Sequence, residues 1–162
     1  MRPAEQTLTP RARVPLAPLS TIGVGGEARW FVRAETIADI VASHRWCVER
    51  NVPLLVLGGG SNLVIADEGI DGLVLQVALR GLEWRRRGDE TVLRASAGES
   101  WDDLVSTAVS RGLAGIECLS GIPGSVGGTP IQNVGAYGQE IAATLEEVTA
   151  FDRRTGEVTT LT

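Results

Sequence analysis

The spacing of apolar residues over the first half of the chain predicts a strand, a helix and a second strand in succession. Residues 28–34 are apolar and aromatic at their centre, which is typical of a strand. Thr36 can cap a following helix with Asp39 three positions on, and an asparagine and a proline after residue 50 end it. The expected inward face of this helix comprises Ile37, Ile40, Val41, His44 and Val48. Residues 54–57 are an apolar run that predicts a buried strand, and the order strand, helix, strand begins an α/β fold.

Shorter elements are predicted beyond residue 60. Strands are expected at residues 63–65 and 73–77, hairpins at 82–96 and 148–161, and a short helix at 141–145. A second helix begins after Ser100, with Asp103 in the capping-box position, and ends at Gly112. Residues 1–15 contain prolines and no periodicity, so we expect a flexible tail there. The remaining pattern divides into a first lobe of βαβ type over residues 16–80 and a second, mixed lobe over residues 81–162.

Charge and composition exclude several classes of chemistry. The formal net charge of −5 disfavours nucleic acid as a partner. All basic residues are arginine, so the chain can supply neither the lysine of a Walker A loop nor a Schiff-base amine. Two distant cysteines and one histidine indicate neither a disulfide framework nor a zinc site, and we expect no metal. Without a secretory signal or a long apolar run, we expect a cytoplasmic protein with no membrane contact and no obligate protein partner.

The first glycine-rich segment, residues 57–62 with the sequence LGGGSN, directly follows the apolar run. Three successive glycines let the backbone approach a ligand closely, and successive N–H groups in such a turn can bind an anion. The segment does not match the GxGxxG fingerprint, and a strand rather than a helix is predicted to follow it. The phosphates of a ligand would therefore have to lie on loop amides. Taken alone, the segment is more typical of a tight turn that binds nothing.

The second glycine-rich segment, residues 121–138, has the sequence GIPGSVGGTPIQNVGAYG. No residue from Cys118 to Gln139 is charged, although average composition would place about five charges in such a stretch. A long uncharged loop has to be covered, either by protein or by a large flat ligand. Apolar surroundings with a few polar groups are typical of cofactor pockets, although a buried structural loop is the alternative. Together the two segments indicate a phosphate-bearing ligand held by backbone N–H groups, with arginine as the available cation.

These segments and their flanks resemble the UDP-N-acetylenolpyruvoylglucosamine reductase (MurB) family. LGGGSN and SGIPGSVGGTPIQNVGAYGQE are similar to its two FAD loops, and LSTIGVGGEARWFV, AGESWDDLV and FDRRTGEV agree around them, so the resemblance covers about residues 15–162. It implies an α/β (α+β) domain of the PCMH or vanillyl-alcohol-oxidase type, with two small lobes and non-covalent FAD. It also implies an oxidoreductase reaction that passes hydride from NADPH through FAD to UDP-N-acetylglucosamine enolpyruvate. The product, UDP-N-acetylmuramate, serves peptidoglycan synthesis and hence cell shape and division.

The resemblance also assigns roles to individual residues. The residues expected to bind FAD are Leu57, Gly58, Gly59, Gly60, Ser61, Asn62, Leu63, Gly121, Ile122, Pro123, Gly124, Ser125, Gly127, Gly128, Thr129, Gln132, Asn133 and Gly135. Within this set, Gln132, Asn133 and Gly135 are expected near the isoalloxazine or the sugar nucleotide. Tyr137 is expected to contact the UDP-sugar substrate.

The family's catalytic residues have no counterpart in this chain. Its tyrosine-arginine-aspartate-serine motif, its proton-donating serine and its acidic partner would lie beyond Thr162. We therefore expect an incomplete second lobe truncated at its C-terminus, no substrate domain and no catalytic residue, so that the chain alone does not turn over substrate. The alternatives are a non-catalytic flavin-binding module and an inactive truncated fragment.

Several other side chains have both a functional and a structural interpretation. His44 could attach a flavin but is more typical of a packed helix face, and the four tryptophans could stack on a flavin but are more typical of packing. The arginines at 85–87 could attract phosphate but are more typical of a solvated hairpin. Glu99, Asp102 and Asp103 resemble a metal cluster only loosely, and we interpret them as charges on a helix dipole.

Overall fold

A four-stranded mixed sheet forms the first part of the fold. A computed structural model describes residues 8–162, and the first seven residues of the predicted tail lie outside the described residues. The strands are β1 (Arg11–Pro15), β2 (Glu27–Ala34), β3 (Leu54–Leu57) and β4 (Ile70–Val77), in the order β1-β2-β4-β3. β1 is antiparallel to β2, whereas β2 and β3 both run parallel to β4. The expected α/β fold is therefore present, with the carboxyl ends of three parallel strands at one edge.

The prediction of a flexible tail is wrong for Arg11–Pro15, which form the edge strand β1. Val14 is buried in the core, and Arg13 forms an ion pair of 3.0 Å with Glu27 on β2. The sequence signal is weak because only one side chain of this strand faces the core and its last residue is proline, which is tolerated at sheet edges.

Helix α1 (Ile37–Arg50) begins as predicted, with a reciprocal capping box between Thr36 and Asp39. Its predicted inward face is only partly correct, because Ile37 and Val48 are exposed. The buried positions are Ser43 and Cys47. Ser43 Oγ donates to the carbonyl oxygen of Asp39 at 2.7 Å, so its burial leaves no polar group unpaired.

Two further predictions in this region require correction. Strand β3 was expected to be buried, but it lies at the sheet edge and Val56 is exposed, while Leu57 is completely buried. Residues 63–65 were expected to form a strand, but they are irregular. The chain must return from the carboxyl end of β3 to the amino end of its parallel neighbour β4, so this segment is a crossover rather than part of the sheet. Ile65 anchors the crossover in the core.

The remaining elements follow β4 in the chain, and all but the last hairpin lie around a second core. They comprise the hairpin β5 (Leu82–Arg87) and β6 (Glu90–Ala95), helix α2 (Trp101–Ser110), helix α3 (Thr129–Gln132), the short strands β7 (Gly135–Ala136) and β8 (Gln139–Glu140), and the hairpin β9 (Val148–Asp152) and β10 (Glu157–Leu161). Both hairpins and α2 are confirmed to within two residues. Residues 141–145 are not an α-helix but contain the 3-10 turn Ile141–Ala143. Trp101, Leu104, Val105, Leu119 and Ile141 form the core of this part.

The last hairpin contacts the first sheet and its helix. His44 on α1 donates from Nε2 to the carbonyl oxygen of Arg153 at 2.8 Å and packs edge-on against Phe151. Arg153 in turn donates to the carbonyl oxygen of Leu54 at 3.1 Å. These contacts account for His44 structurally, as the packing interpretation of its helix face predicts.

Candidate functional site

The two glycine-rich segments lie against each other, although about 60 residues separate them in the chain. Ser61 Oγ donates to the carbonyl oxygen of Pro123 at 3.4 Å. A Cβ atom added at Gly59 would lie 3.2 Å from Gly124 Cα, and one added at Gly58 would lie 2.9 Å from Ser125 Oγ. The absence of a side chain at Gly59 therefore permits the close approach of the two backbones, whereas Gly58 leaves room for the Ser125 side chain.

A cleft of about 130 Å³ opens where the two loops meet. It is lined by Arg33, Gly58, Gly59, Gln76, Val77, Ala78, Arg80, Gly98 and Ser125. Arg33, Gln76 and Val77 lie near the ends of β2 and β4, and Gly58 and Gly59 follow β3. The cleft thus occupies the carboxyl edge of the parallel strands, where ligands bind in open α/β sheets.

Sequence reasoning missed six of these lining residues: Arg33, Gln76, Val77, Ala78, Arg80 and Gly98. They lie in ordinary strand ends and in the turns that follow them, and apart from Gly98, in the segment AGESWDDLV, they belong to no motif. Three of them, Arg33, Gln76 and Val77, could have been found from their position at the predicted end of a parallel strand. Using that signal requires the strand order, which places β4 between β2 and β3.

Two guanidinium groups line the cleft and make charged donors available there. Arg33 pairs with Glu35 at 3.2 Å and Arg80 with Glu99 at 3.1 Å, and each arginine side chain remains more than half exposed. The N–H of Gly81 donates to Glu99 Oε1 at 2.6 Å, and this bond lowers the pKa of the Glu99 carboxyl, as does Arg80 to a smaller extent. Glu99 is therefore ionised and holds Arg80 beside the cleft.

The segment at the start of α2 holds residues 124–127 of the second glycine-rich segment through backbone hydrogen bonds. The N–H groups of Val126 and Gly127 donate to the carbonyl oxygens of Glu99 and Ala97, both at 2.9 Å. The N–H of Trp101 donates to the carbonyl oxygen of Gly124 at 3.1 Å. The loop is therefore held as part of a small network of strand-like contacts, which also includes a bridge between Ser100 and Ser125.

The other expected site residues lie outside the lining of the cleft, and two groups among them differ in their surroundings. Leu57, Gly60 and Thr129 are buried, and Thr129 Oγ1 donates to the carbonyl oxygen of Val126 at 2.8 Å, so these residues shape the loops. Residues farther along the second segment lie on α3, β7 and the following turn, outside the lining of the cleft: Gln132, Asn133, Gly135 and Tyr137. Tyr137 is 92% exposed and has a φ of 50°, a conformation that is uncommon for an aromatic residue.

The alternative chemistries find little support in the described part of the chain. No group of three or more histidine, cysteine, aspartate or glutamate residues among residues 8–162 could hold a metal ion. Trp101 donates from Nε1 to the carbonyl oxygen of Leu119 at 3.0 Å, and Trp30 packs edge-on against Trp46. Arg87, from the arginine-rich hairpin strand, pairs with Glu146 and Glu90. Among the described helices, none has the length and apolar character needed to span a bilayer.

The chain matches the family model described as FAD binding domain over residues 28–162. It is 55% identical over 147 residues to UDP-N-acetylenolpyruvoylglucosamine reductase from Streptomyces coelicolor, an alignment that covers 91% of this chain and 37% of that protein. A crystal structure of the reductase MurB from Thermus caldophilus superposes with a TM-score of 0.76 at 32% identity, over 94% of this chain and 53% of that one.

A more distant structure supports the same fold. A VAO-type flavoprotein from Myceliophthora thermophila aligns with a TM-score of 0.64 at 19% identity, over 82% of this chain and 26% of that one. The expected FAD-binding fold of the PCMH or vanillyl-alcohol-oxidase type is therefore confirmed. The chain belongs to the FAD-binding domain family, and its relatives at about half identity are UDP-N-acetylenolpyruvoylglucosamine reductases of which it spans about two fifths.

Proposed function

We propose that this chain is the FAD-binding part of a UDP-N-acetylenolpyruvoylglucosamine reductase and that the diphosphate of FAD lies in the cleft between the two glycine-rich loops. The observation that carries the proposal is the contact between Gly59 and Gly124 beside two arginines at the carboxyl edge of the sheet. We also propose the division into lobes at residues 80–81, and the lining of the cleft comes from both sides of that boundary.

The cleft fits a diphosphate in size and chemistry. Its volume of about 130 Å³ is smaller than the several hundred Å³ typical of whole-ligand pockets, so it would hold the centre of the dinucleotide and not its rings. Glycine backbone can reach the phosphate oxygens, and Arg33 and Arg80 would supply positive charge through charge-assisted hydrogen bonds. Attachment would be non-covalent, as in the family that the chain resembles, and His44, the histidine of the chain, is engaged with the last hairpin.

The remaining expected residues would serve the two ends of the ligand. Gln132, Asn133 and Gly135 would lie along the isoalloxazine or the sugar nucleotide, continuing the second loop away from the cleft. Tyr137 would contact the UDP-sugar, since an exposed aromatic residue held at positive φ is a conformation that functional sites retain. Buried Leu57 and Thr129 would support the loops without touching the cofactor.

The reaction of the whole protein is proposed from its relatives. Bound FAD would supply the hydride chemistry, accepting hydride from NADPH and delivering it to the enolpyruvyl group of UDP-N-acetylglucosamine enolpyruvate. The residues of this chain would bind and orient the cofactor and exclude water from it. Such a protein would act in the cytoplasm in peptidoglycan synthesis, and with it in cell shape and division. The described residues by themselves would bind FAD without turning over substrate.

Titration of the cofactor-free protein with FAD, followed by quenching of flavin fluorescence, tests the proposal. Arg80→Gln should weaken FAD binding on the order of tenfold, because it removes a charged donor from the diphosphate. Arg29→Gln is the matched control, since Arg29 is equally exposed and equally ion-paired but lies outside the cleft lining. ADP should compete with FAD and riboflavin should not. A wild-type protein that binds no FAD would overturn the proposal, as would equal effects of the two substitutions.

A further inference from the structure

The first turn of α2 contacts the start of the second glycine-rich loop through side chains. Asp102 Oδ1 accepts hydrogen bonds from Gly121 N at 2.6 Å and from Ser120 Oγ at 3.2 Å. Beside it, Trp101 Nε1 donates to the carbonyl oxygen of Leu119 at 3.0 Å. The three successive residues 119–121, at the entry to the second glycine-rich segment, are thus bonded to Trp101 and Asp102.

Residues 121–123 and residues 124–127 of the second glycine-rich segment are held differently. Residues 124–127 are fixed by the backbone-to-backbone bonds of Gly124, Val126 and Gly127. Gly121 and Pro123 are instead bonded by the side chains of Asp102 and Ser61. The position of residues 121–123 therefore depends on side-chain chemistry.

Gly121 lies in the turn that follows the 3-10 helix Glu117–Leu119. Its φ is +77°, a left-handed conformation that glycine adopts readily but does not favour over others. A glycine in such a turn has many alternative conformations, and ordering it costs conformational entropy. The short charge-assisted bond from Gly121 N to the Asp102 carboxylate selects one of them.

We propose that Asp102 is a positioning residue, whose carboxylate orders Ser120 and Gly121 in the cofactor-free protein and so presents the second glycine-rich loop to the diphosphate. This inference rests on the proposed function, because the consequence of ordering the loop is tighter FAD binding. The positioning role differs from the role that the sequence pattern indicates for Asp102, which is to place a charge at the N-terminus of a helix. The dipole role depends on charge alone, whereas the positioning role depends on where the acceptor oxygen lies.

Two substitutions separate these roles at the same position. Asp102→Asn removes the charge but keeps an acceptor oxygen at the same distance from the backbone. Asp102→Glu keeps the charge but moves the acceptor by one methylene. Asp103→Ala is the matched control, because Asp103 carries an equal charge in the same helical turn and its side chain is not bonded to the loop.

The cofactor-free variants are compared by hydrogen exchange of residues 119–123 and then titrated with FAD. We expect Asp102→Ala and Asp102→Glu to raise the dissociation constant for FAD about tenfold and to accelerate exchange at Gly121. Asp102→Asn should recover most of the affinity, and Asp103→Ala should match the wild type. Should Asp102→Ala fail to fold, the comparison of Asp102→Glu with Asp102→Asn decides the question.

The outcomes distinguish this inference from the proposed function. A wild-type protein that binds no FAD would count against the proposed function, whereas exchange at Gly121 that Asp102→Glu leaves unchanged would count against the positioning role. If the wild type binds FAD and Asp102→Glu binds equally well, Asp102 does not position the loop. Equal loss of affinity in Asp102→Asn and Asp103→Ala would assign the effect to helix charge and overturn the inference.

Discussion

Two adjacent glycines in the second loop should respond to alanine in opposite directions. Gly127 and Gly128 belong to the same 3-10 turn, Val126–Gly128. A Cβ atom at Gly127 would lie 2.7 Å from Ala97 Cβ and 3.1 Å from the Ala97 carbonyl oxygen, whereas one at Gly128 would meet no heavy atom within 4 Å. Gly128 also has the ordinary backbone angles φ −83° and ψ −23°. The pair therefore isolates the effect of the contact with Ala97.

The contact distances set the expected change in the free energy of unfolding for each alanine substitution. Carbon atoms pack at about 3.5–4.0 Å, so Gly127→Ala requires a movement of about 1 Å against the 2.9 Å hydrogen bond from Gly127 N to the Ala97 carbonyl oxygen. Overpacking and weakening of this bond together should lower the free energy of unfolding by about 1–3 kcal/mol. Gly128→Ala should instead raise it by roughly 0.4–1 kcal/mol, because alanine restricts the unfolded chain without strain in the folded one.

Urea unfolding of the FAD-free protein, followed by circular dichroism, measures both changes. At unchanged m-value the midpoints of the two variants should move in opposite directions, and their Tm values should differ by about 5–10 °C. If Gly127→Ala is as stable as Gly128→Ala, the second loop does not lie against Ala97. The network that holds the loop beside the cleft would then be wrong.

Three further changes test other contacts. Gly59→Ala should lower both stability and FAD affinity, the latter on the order of tenfold, by forcing the two loops apart, as parallel unfolding and FAD titrations would reveal. Trp101→Phe should cost about 1–2 kcal/mol in urea unfolding, because it leaves the buried Leu119 carbonyl without its donor. The lowered pKa of Glu99, caused first by the Gly81 N–H, contributes stability that is present above its unfolded pKa of about 4.5 and lost as the pH falls further. Glu99→Gln should therefore reduce the loss of Tm between pH 6 and pH 3.

The sequence determined those features whose causes are local. The capping pair of Thr36 and Asp39 fixes the start of α1, and the turn at residues 88–89 fixes the hairpin of β5 and β6, because in each case the interacting groups are within a few residues of one another. The two glycine-rich segments were also recognisable, since an uncharged stretch with repeated glycine is a property of composition. The resemblance carried by these segments predicted the FAD-binding fold, which the comparisons confirm.

The tertiary structure alone decided which distant groups meet. Arg33 and Arg80 flank the cleft because β4 lies between β2 and β3, and no local pattern specifies that order. The strand at Arg11–Pro15 and the buried face of α1 at Ser43 and Cys47 depend in the same way on what packs against them. Contacts between segments far apart in the chain are set by the balance of burial and chain entropy over the whole fold, so a window of local sequence does not contain them.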